Sequence, residues 1–178
     1  MSGKSTAKSL KKSAVFKETK SCKWLSPINN DDFKRGERMH SVPYAVLISI
    51  FPLYSNQIFE GTKKIEFRKK NFSSDIKKIV VYSTLPVGKI EGVWDYDGVE
   101  ELTPAGLWKK YSKVGGIKKE KYDAYFSNSN IAYGIKVKNP VRFNNPVSID
   151  EIGKKPPQAY VYLTEAEFNE ICNKGECL

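Results

Sequence analysis

The run Ala45-Val-Leu-Ile-Ser-Ile-Phe51, stopped by Pro52, constrains this chain more than any other segment. It has the length of a strand, is almost wholly apolar, and is followed by a residue that cannot continue a central ladder, so it reads as a buried strand. A buried strand needs a sheet around it, and the downstream sequence supplies the candidates. Lys63 to Lys69 alternates strictly, with Ile65 and Phe67 on one face and Lys64, Glu66 and Arg68 on the other. One face is expected in the core and the other is expected to carry charge. Further strands are predicted at Lys78–Ser83, Gly88–Tyr96, Ile131–Val137 and Ala159–Leu163, and no internal repeat is visible.

Short helices fit between these strands. Leu53 to Glu60 is helical in length and ends at Gly61, which accepts the left-handed conformation of a C′ residue without a Cβ penalty. Thr103 is a good N-cap with Pro104 at N1, ahead of Leu107, Trp108 and Tyr111, and a second helix is predicted over Lys118–Phe126. Ser148-Ile-Asp-Glu151 and Thr164-Glu-Ala-Glu167 both match the capping box, the second opening a C-terminal helix with Phe168 and Ile171 inward. The pattern as a whole is α+β, with five or six strands and short flanking helices.

Charge narrows the partners. Lys+Arg 30 against Asp+Glu 20 gives a formal net charge of +10, which attracts polyanions such as nucleic acid or an acidic membrane surface. The excess is uneven, because residues 1–40 hold ten Lys/Arg against four acids. This Ser- and Lys-rich opening is poor in large apolar residues and without sustained periodicity, so residues 1–41 are expected to form a flexible basic arm and residues 42–178 the folded domain. The arm is suited to following a phosphate backbone; a purely solubilising tail is the plainer alternative. An organelle-targeting peptide fits less well, since the first thirty residues contain Lys and no Arg. Trp24 is expected to pack back on the domain. No stretch approaches the roughly 18 consecutive apolar residues of a membrane span, and the start lacks the apolar core of a secretory signal. The expectation is a soluble, cytoplasmic protein.

The same inventory removes several chemistries. Cys22, Cys172 and Cys177 match no zinc spacing, and a single histidine, His40, leaves no material for a histidine-based triad. No metal site and no cofactor are expected.

The block Gly61-Thr-Lys63-Lys-Ile-Glu66-Phe-Arg68 supplies G-x-K-x-x-E-x-R in full. Around it stand the apolar strand and helix before it, Tyr82-Ser83-Thr84 with Pro86, Gly88-Lys-Ile-Glu-Gly92, Tyr133-Gly134, and Pro156-Pro157-Gln158 leading into the last strand. In this order, over about residues 45–163, the chain resembles the ASCH domain of the PUA-like superfamily. The resemblance implies a small, partly open β-barrel with flanking helices and a cleft beside the G-x-K-x-x-E-x-R strand that accepts RNA or a nucleotide-like ligand. Lys63, Lys64, Glu66, Arg68, Tyr82, Ser83, Thr84 and Gln158 are the candidate binding residues. Lys63 and Arg68 supply cationic donors for phosphate, and Glu66 is an acceptor for an exocyclic amine. The structural alternative is an exposed strand face whose Lys64, Glu66 and Arg68 form a weak charge ladder.

Three functions remain open on these residues. The first is an RNA- or nucleic-acid-binding domain with a cationic cleft. The second is a hydrolase acting on RNA or a modified nucleoside, with Lys63 and Glu66 as its catalytic pair. In the amidohydrolases that the family resemblance brings in, a lysine and a threonine three positions later are required; Lys63 matches the first, whereas Glu66 replaces the second. The third is an accessory factor that binds another protein through its basic surface. Trp94, Tyr96, Trp108, Tyr122, Tyr125 and Phe126 are candidates for stacking on bases, each set against the commoner role of an aromatic in the core.

Overall fold

A computed structural model of the chain describes residues 42–72 and 75–177. The expected basic arm, Trp24, Cys22 and His40 lie outside the described residues. In chain order the elements are β1 (Ala45–Ile50), α1 (Pro52–Phe59), β2 (Ile65–Arg68), β3 (Lys78–Ser83), β4 (Lys89–Leu102), α2 (Pro104–Tyr111), α3 (Lys119–Phe126), β5 (Ala132–Ser148), a 3₁₀ turn (Ile149–Ile152), β6 (Tyr160–Leu163) and α4 (Glu165–Gly175). The six strands form one sheet in the order β2-β5-β4-β3-β1-β6. Only the β1/β3 pair is parallel; the other pairings are antiparallel. The sheet curls into a half-barrel with four short helices on it, an α+β architecture as expected.

Local signals act where they were read. Thr103 caps α2 by accepting from Gly106 N, and both capping boxes close, at Ser148 with Glu151 and at Thr164 with Glu167. The bulk of the core lies in three clusters. Phe168 and Ile171 of α4 cover Leu47, Val80 and Tyr82 on one side of the sheet. Ile58 of α1 covers Val46, Ile48, Val81, Trp94 and Ile135 on the other. Leu107, Tyr122 and Phe126 from α2 and α3 close over Ile65 and Phe67 of β2.

Two strands run far beyond their expected ends. β4 continues to Leu102 and β5 to Ser148, the latter through Pro140 and Pro146. Those prolines read as strand breakers, yet β2 pairs with β5 only from Tyr133 to Lys136. Past that point β5 has β4 on one side and, among the described residues, no strand on the other, so a proline there need not donate to a ladder. Register shifts between Ile90 and Gly92, Val93 and Asp95, and Tyr96 and Val99 bend the β4/β5 ladder and produce the curl.

Candidate functional site

The G-x-K-x-x-E-x-R segment starts with a chain reversal. Gly61 takes φ +75°, and the amides of Thr62 and Lys63 both return to the Gln57 carbonyl of α1, at 2.9 and 3.0 Å. Lys63 is thereby held against α1 and not sent outward. Its side chain is 2% exposed, its Nζ donating to the Gly115 carbonyl at 2.5 Å and lying 3.4 Å from Glu66 Oε2. The ammonium also stands 5.3 Å from the centre of the Tyr54 ring and 5.1 Å from that of Phe67.

Glu66 is the correction to the alternating pattern. Ile65 and Phe67 are buried as expected, but Glu66 is only 7% exposed. Directly paired residues share a face, and Glu66 pairs with Ile135, which belongs to the cluster under α1. Both faces of β2 are therefore covered, and the exposed charge ladder is ruled out. Arg68 completes the group, its Nε 3.1 Å from Glu66 Oε1 and its Nη2 donating to the Ser49 carbonyl at 2.7 Å. A carboxylate thus sits between two cations. Burial pushes the Lys63 ammonium below its usual pKa; the charge and hydrogen bonding of Glu66 oppose this, and Arg68 reinforces it. Burial, with a smaller contribution from Glu66, raises the Tyr54 hydroxyl.

Two polar atoms here lack a hydrogen bond: Arg68 Nε, an ion-pair contact notwithstanding, and Gln57 Oε1. Gln57 leans on Gly116, where a Cβ would lie 2.2 Å from its Oε1, and Gly115 leans on Phe67, where a Cβ would lie 2.5 Å from the ring. The Gly115-Gly116 pair is thus what lets the loop before α3 close over Lys63. Tyr54, Gln57, Gly115 and Ser49 were missed by sequence reasoning. The spacing of Tyr54 and Gln57 on one helical face and the paired glycines were the signals available.

The other candidates are dispersed. Lys64 is exposed. Tyr82, 5% exposed, packs with Leu47 and Phe168 on the face away from Glu66. Ser83 is fully buried in a second polar cluster, bonded to the Glu91 carboxylate and to Ser55 Oγ at 2.7 Å. Thr84 is half-buried, its hydroxyl without a partner. Gln158 is exposed in a separate groove. Of the aromatics, Trp94, Tyr122 and Phe126 are core and Tyr96 and Trp108 pack against it. Tyr125 is different. It is 39% exposed, its ring carries the Lys69 ammonium at 5.1 Å, and its hydroxyl responds to the charges of Arg68 and Glu66, although burial is what chiefly raises it.

No family model matches the chain. Over 133 residues, 70% of this chain and 88% of the relative, it is 23% identical to a Zymomonas mobilis protein named ASCH domain-containing ribonuclease. The crystal structure of ASCH from Zymomonas mobilis matches with a TM-score of 0.66 at 22% identity, covering 72% of this chain and 94% of that one. A point-mutant form of it gives 0.69, over 74% and 98%. The fold is that of an ASCH domain. The chain is also 30% identical over 120 residues to a Ureaplasma parvum protein named large ribosomal subunit protein uL22, in a match that spans 66% of this chain and 39% of that protein. Among the described residues of this ASCH domain, no helix is long and apolar enough to cross a membrane.

Proposed function

We propose that this ASCH domain binds RNA and that Lys63, Glu66 and Arg68 act on a phosphodiester at the buried cluster. The observation that carries this reading is Lys63 itself. A lysine that merely attracts phosphate is exposed and keeps its full charge, whereas Lys63 is desolvated, held below its ordinary pKa and fixed beside a carboxylate. That environment makes the ammonium a readier proton donor than an exposed lysine. Arg68, held by Glu66 through its Nε and by the Ser49 carbonyl through its Nη2, adds a fixed positive charge for a phosphate oxygen. Glu66 keeps both cations in place. RNA supplies its own nucleophile in the 2′-hydroxyl: its oxygen bonds to phosphorus as the bond to the 5′-oxygen breaks, the 2′-proton passes to a base and the departing 5′-oxygen takes a proton from the Lys63 ammonium, while Arg68 offsets charge at phosphorus. The ribonuclease name of the Zymomonas mobilis relative agrees with this substrate class. Residues 1–41 belong to the same proposal, as a basic arm adding contacts to backbone phosphates without reading sequence.

A second reading, RNA binding without turnover, is favoured by one observation: the Gly115 carbonyl already occupies the Lys63 ammonium. Single-stranded RNA incubated with the full chain and with Lys63→Ala separates the two. Cleavage by the unaltered chain, lost by at least a hundredfold in Lys63→Ala while binding persists, supports the first. Binding with no cleavage by either protein supports the second, and no binding at low salt defeats both.

A further inference from the structure

Among the described residues the sheet has β2 and β6 as its two edges, and they meet across the open side of the curl. The Tyr160 hydroxyl on β6 donates to the Asn71 carbonyl just past β2 at 3.2 Å, and the Tyr160 and Phe72 rings meet at 5.6 Å. Along this seam runs an open groove of about 600 Å³, lined by Lys70 from the β2 side and by Lys154, Lys155, Pro157, Gln158 and Tyr160 from the β6 side. Its charge is not cancelled. Lys154 pairs with Glu167 at 2.7 Å, but among the described residues no carboxylate pairs with Lys70 or Lys155, both exposed.

One residue joins this groove to the buried cluster. Ser49 of β1 accepts from Arg68 through its carbonyl, donates from its hydroxyl to the Pro157 carbonyl at 2.5 Å, and donates from its amide to the Ala159 carbonyl at 3.2 Å. Arg68 is thereby linked through Ser49 to the Pro157–Ala159 wall of the groove, and Lys70 on the facing wall is two residues beyond Arg68.

We infer that this seam is the track for the single-stranded RNA flanking the phosphate at Arg68, with Lys70 and Lys155 on successive backbone phosphates and Gln158 and Tyr160 meeting bases. The inference rests on the RNA reading given above and extends it to a substrate class. Uncompensated lysines along a groove that also offers an aromatic ring and an amide match the way single strands are held. A duplex keeps its base faces stacked and unavailable to such a surface.

The test uses the full chain, a dinucleotide, a single-stranded 10-mer of RNA and a duplex of the same sequence, with binding followed by anisotropy over a series of salt concentrations. The variant is Lys70→Glu with Lys155→Glu, checked for an unchanged thermal midpoint. The 10-mer should bind the unaltered chain at least tenfold more tightly than the dinucleotide, and the double variant should erase that advantage while leaving dinucleotide affinity within twofold. Losing two phosphate contacts should also lower the salt slope by about 1.4, at about 0.7 per contact for single strands. Unchanged 10-mer affinity and slope in the double variant would overturn the groove and leave the RNA reading intact. Duplex binding as tight as that of the 10-mer, and equally lost, would overturn the single-strand assignment. Absence of binding to all three by the unaltered chain would remove the RNA reading and this inference together.

Discussion

Glu66 and Glu91 are nearly buried carboxylates on the same sheet, 7% and 8% exposed, and the molecule treats them in opposite ways. Glu66 lies between Lys63 and Arg68. Glu91 stands at a bulge in β4 and is met by neutral donors, Ser83 Oγ and, at 3.3 Å, Ser55 Oγ, with Arg142 only at 3.9 Å and 44% exposed. The buried polar side chains of the described residues, Ser55, Lys63, Glu66, Ser83 and Glu91, all fall into these two groups. Helix α1 touches both, through Tyr54 and Gln57 on one side and Ser55 on the other.

The contrast separates architecture from chemistry. Neutral hydroxyls satisfy the Glu91 carboxylate without adding a second charge to desolvate, and they tie α1 to the ends of β3 and β4. The buried Lys63 and the partly buried Arg68 around Glu66 carry a desolvation cost that an apolar cluster of the same volume would avoid. Stability alone does not account for such an arrangement, and the role proposed for Lys63 would.

The largest expected difference comes from removing the carboxylates one at a time. Glu66→Ala leaves Lys63 buried without its counter-charge and should cost about 3–5 kcal/mol in denaturant unfolding. Replacing the pair together, as Lys63→Met with Glu66→Leu, should recover most of that stability while RNA cleavage stays lost. A loss below about 1 kcal/mol for Glu66→Ala would show that the cluster is not desolvated, and the comparison would collapse.

Glu91→Ala should cost less, about 1–3 kcal/mol, because the two serine hydroxyls it abandons still have each other. The sharper readout is functional. The ratio of cleavage rates between Glu91→Ala and the unaltered chain should stay within a few-fold under conditions where both are folded. A hundredfold loss would move Glu91 from architecture into the reaction.

The smallest effect is in pH dependence. The folded-state pKa of Lys63 is below its unfolded value, so the unfolded chain binds more protons between the two, and stability rises with pH across that window. The window runs from the lowered value up to the ordinary lysine value of about 10.4. The stability difference between the unaltered chain and Lys63→Met should therefore shift in favour of the unaltered chain as pH climbs through this window. A flat or falling difference would mean that the pairing with Glu66 outweighs burial at Lys63.

Much of this was legible in the residues themselves. The buried β1, the reversal at Gly61, the Thr103 cap, both capping boxes and the inward Phe168 and Ile171 of α4 all rest on interactions within a few positions of one another, which local spacing encodes. The grouping of Lys63, Glu66 and Arg68 was present in one eight-residue block, although the block also suggested Lys64, which faces solvent. Tyr82 and Ser83 were adjacent in a candidate motif but point to opposite sides of β3, as the two-residue period of a strand demands.

The sequence by itself determined which residues share a face of each strand and where each helix begins. Only the tertiary structure decided whether a face meets water. Alternation places Glu66 opposite Ile65 and Phe67, but the cover over Glu66 comes from α1 and from a loop whose Gly115 is 52 residues from the Lys63 it contacts. The seam that brings Lys70 and Gln158 to one groove is likewise made by β2 and β6, the two edges of the curled sheet. A local pattern carries no record of which distant segments close over it, and the burial that tunes Lys63 arises from that closure.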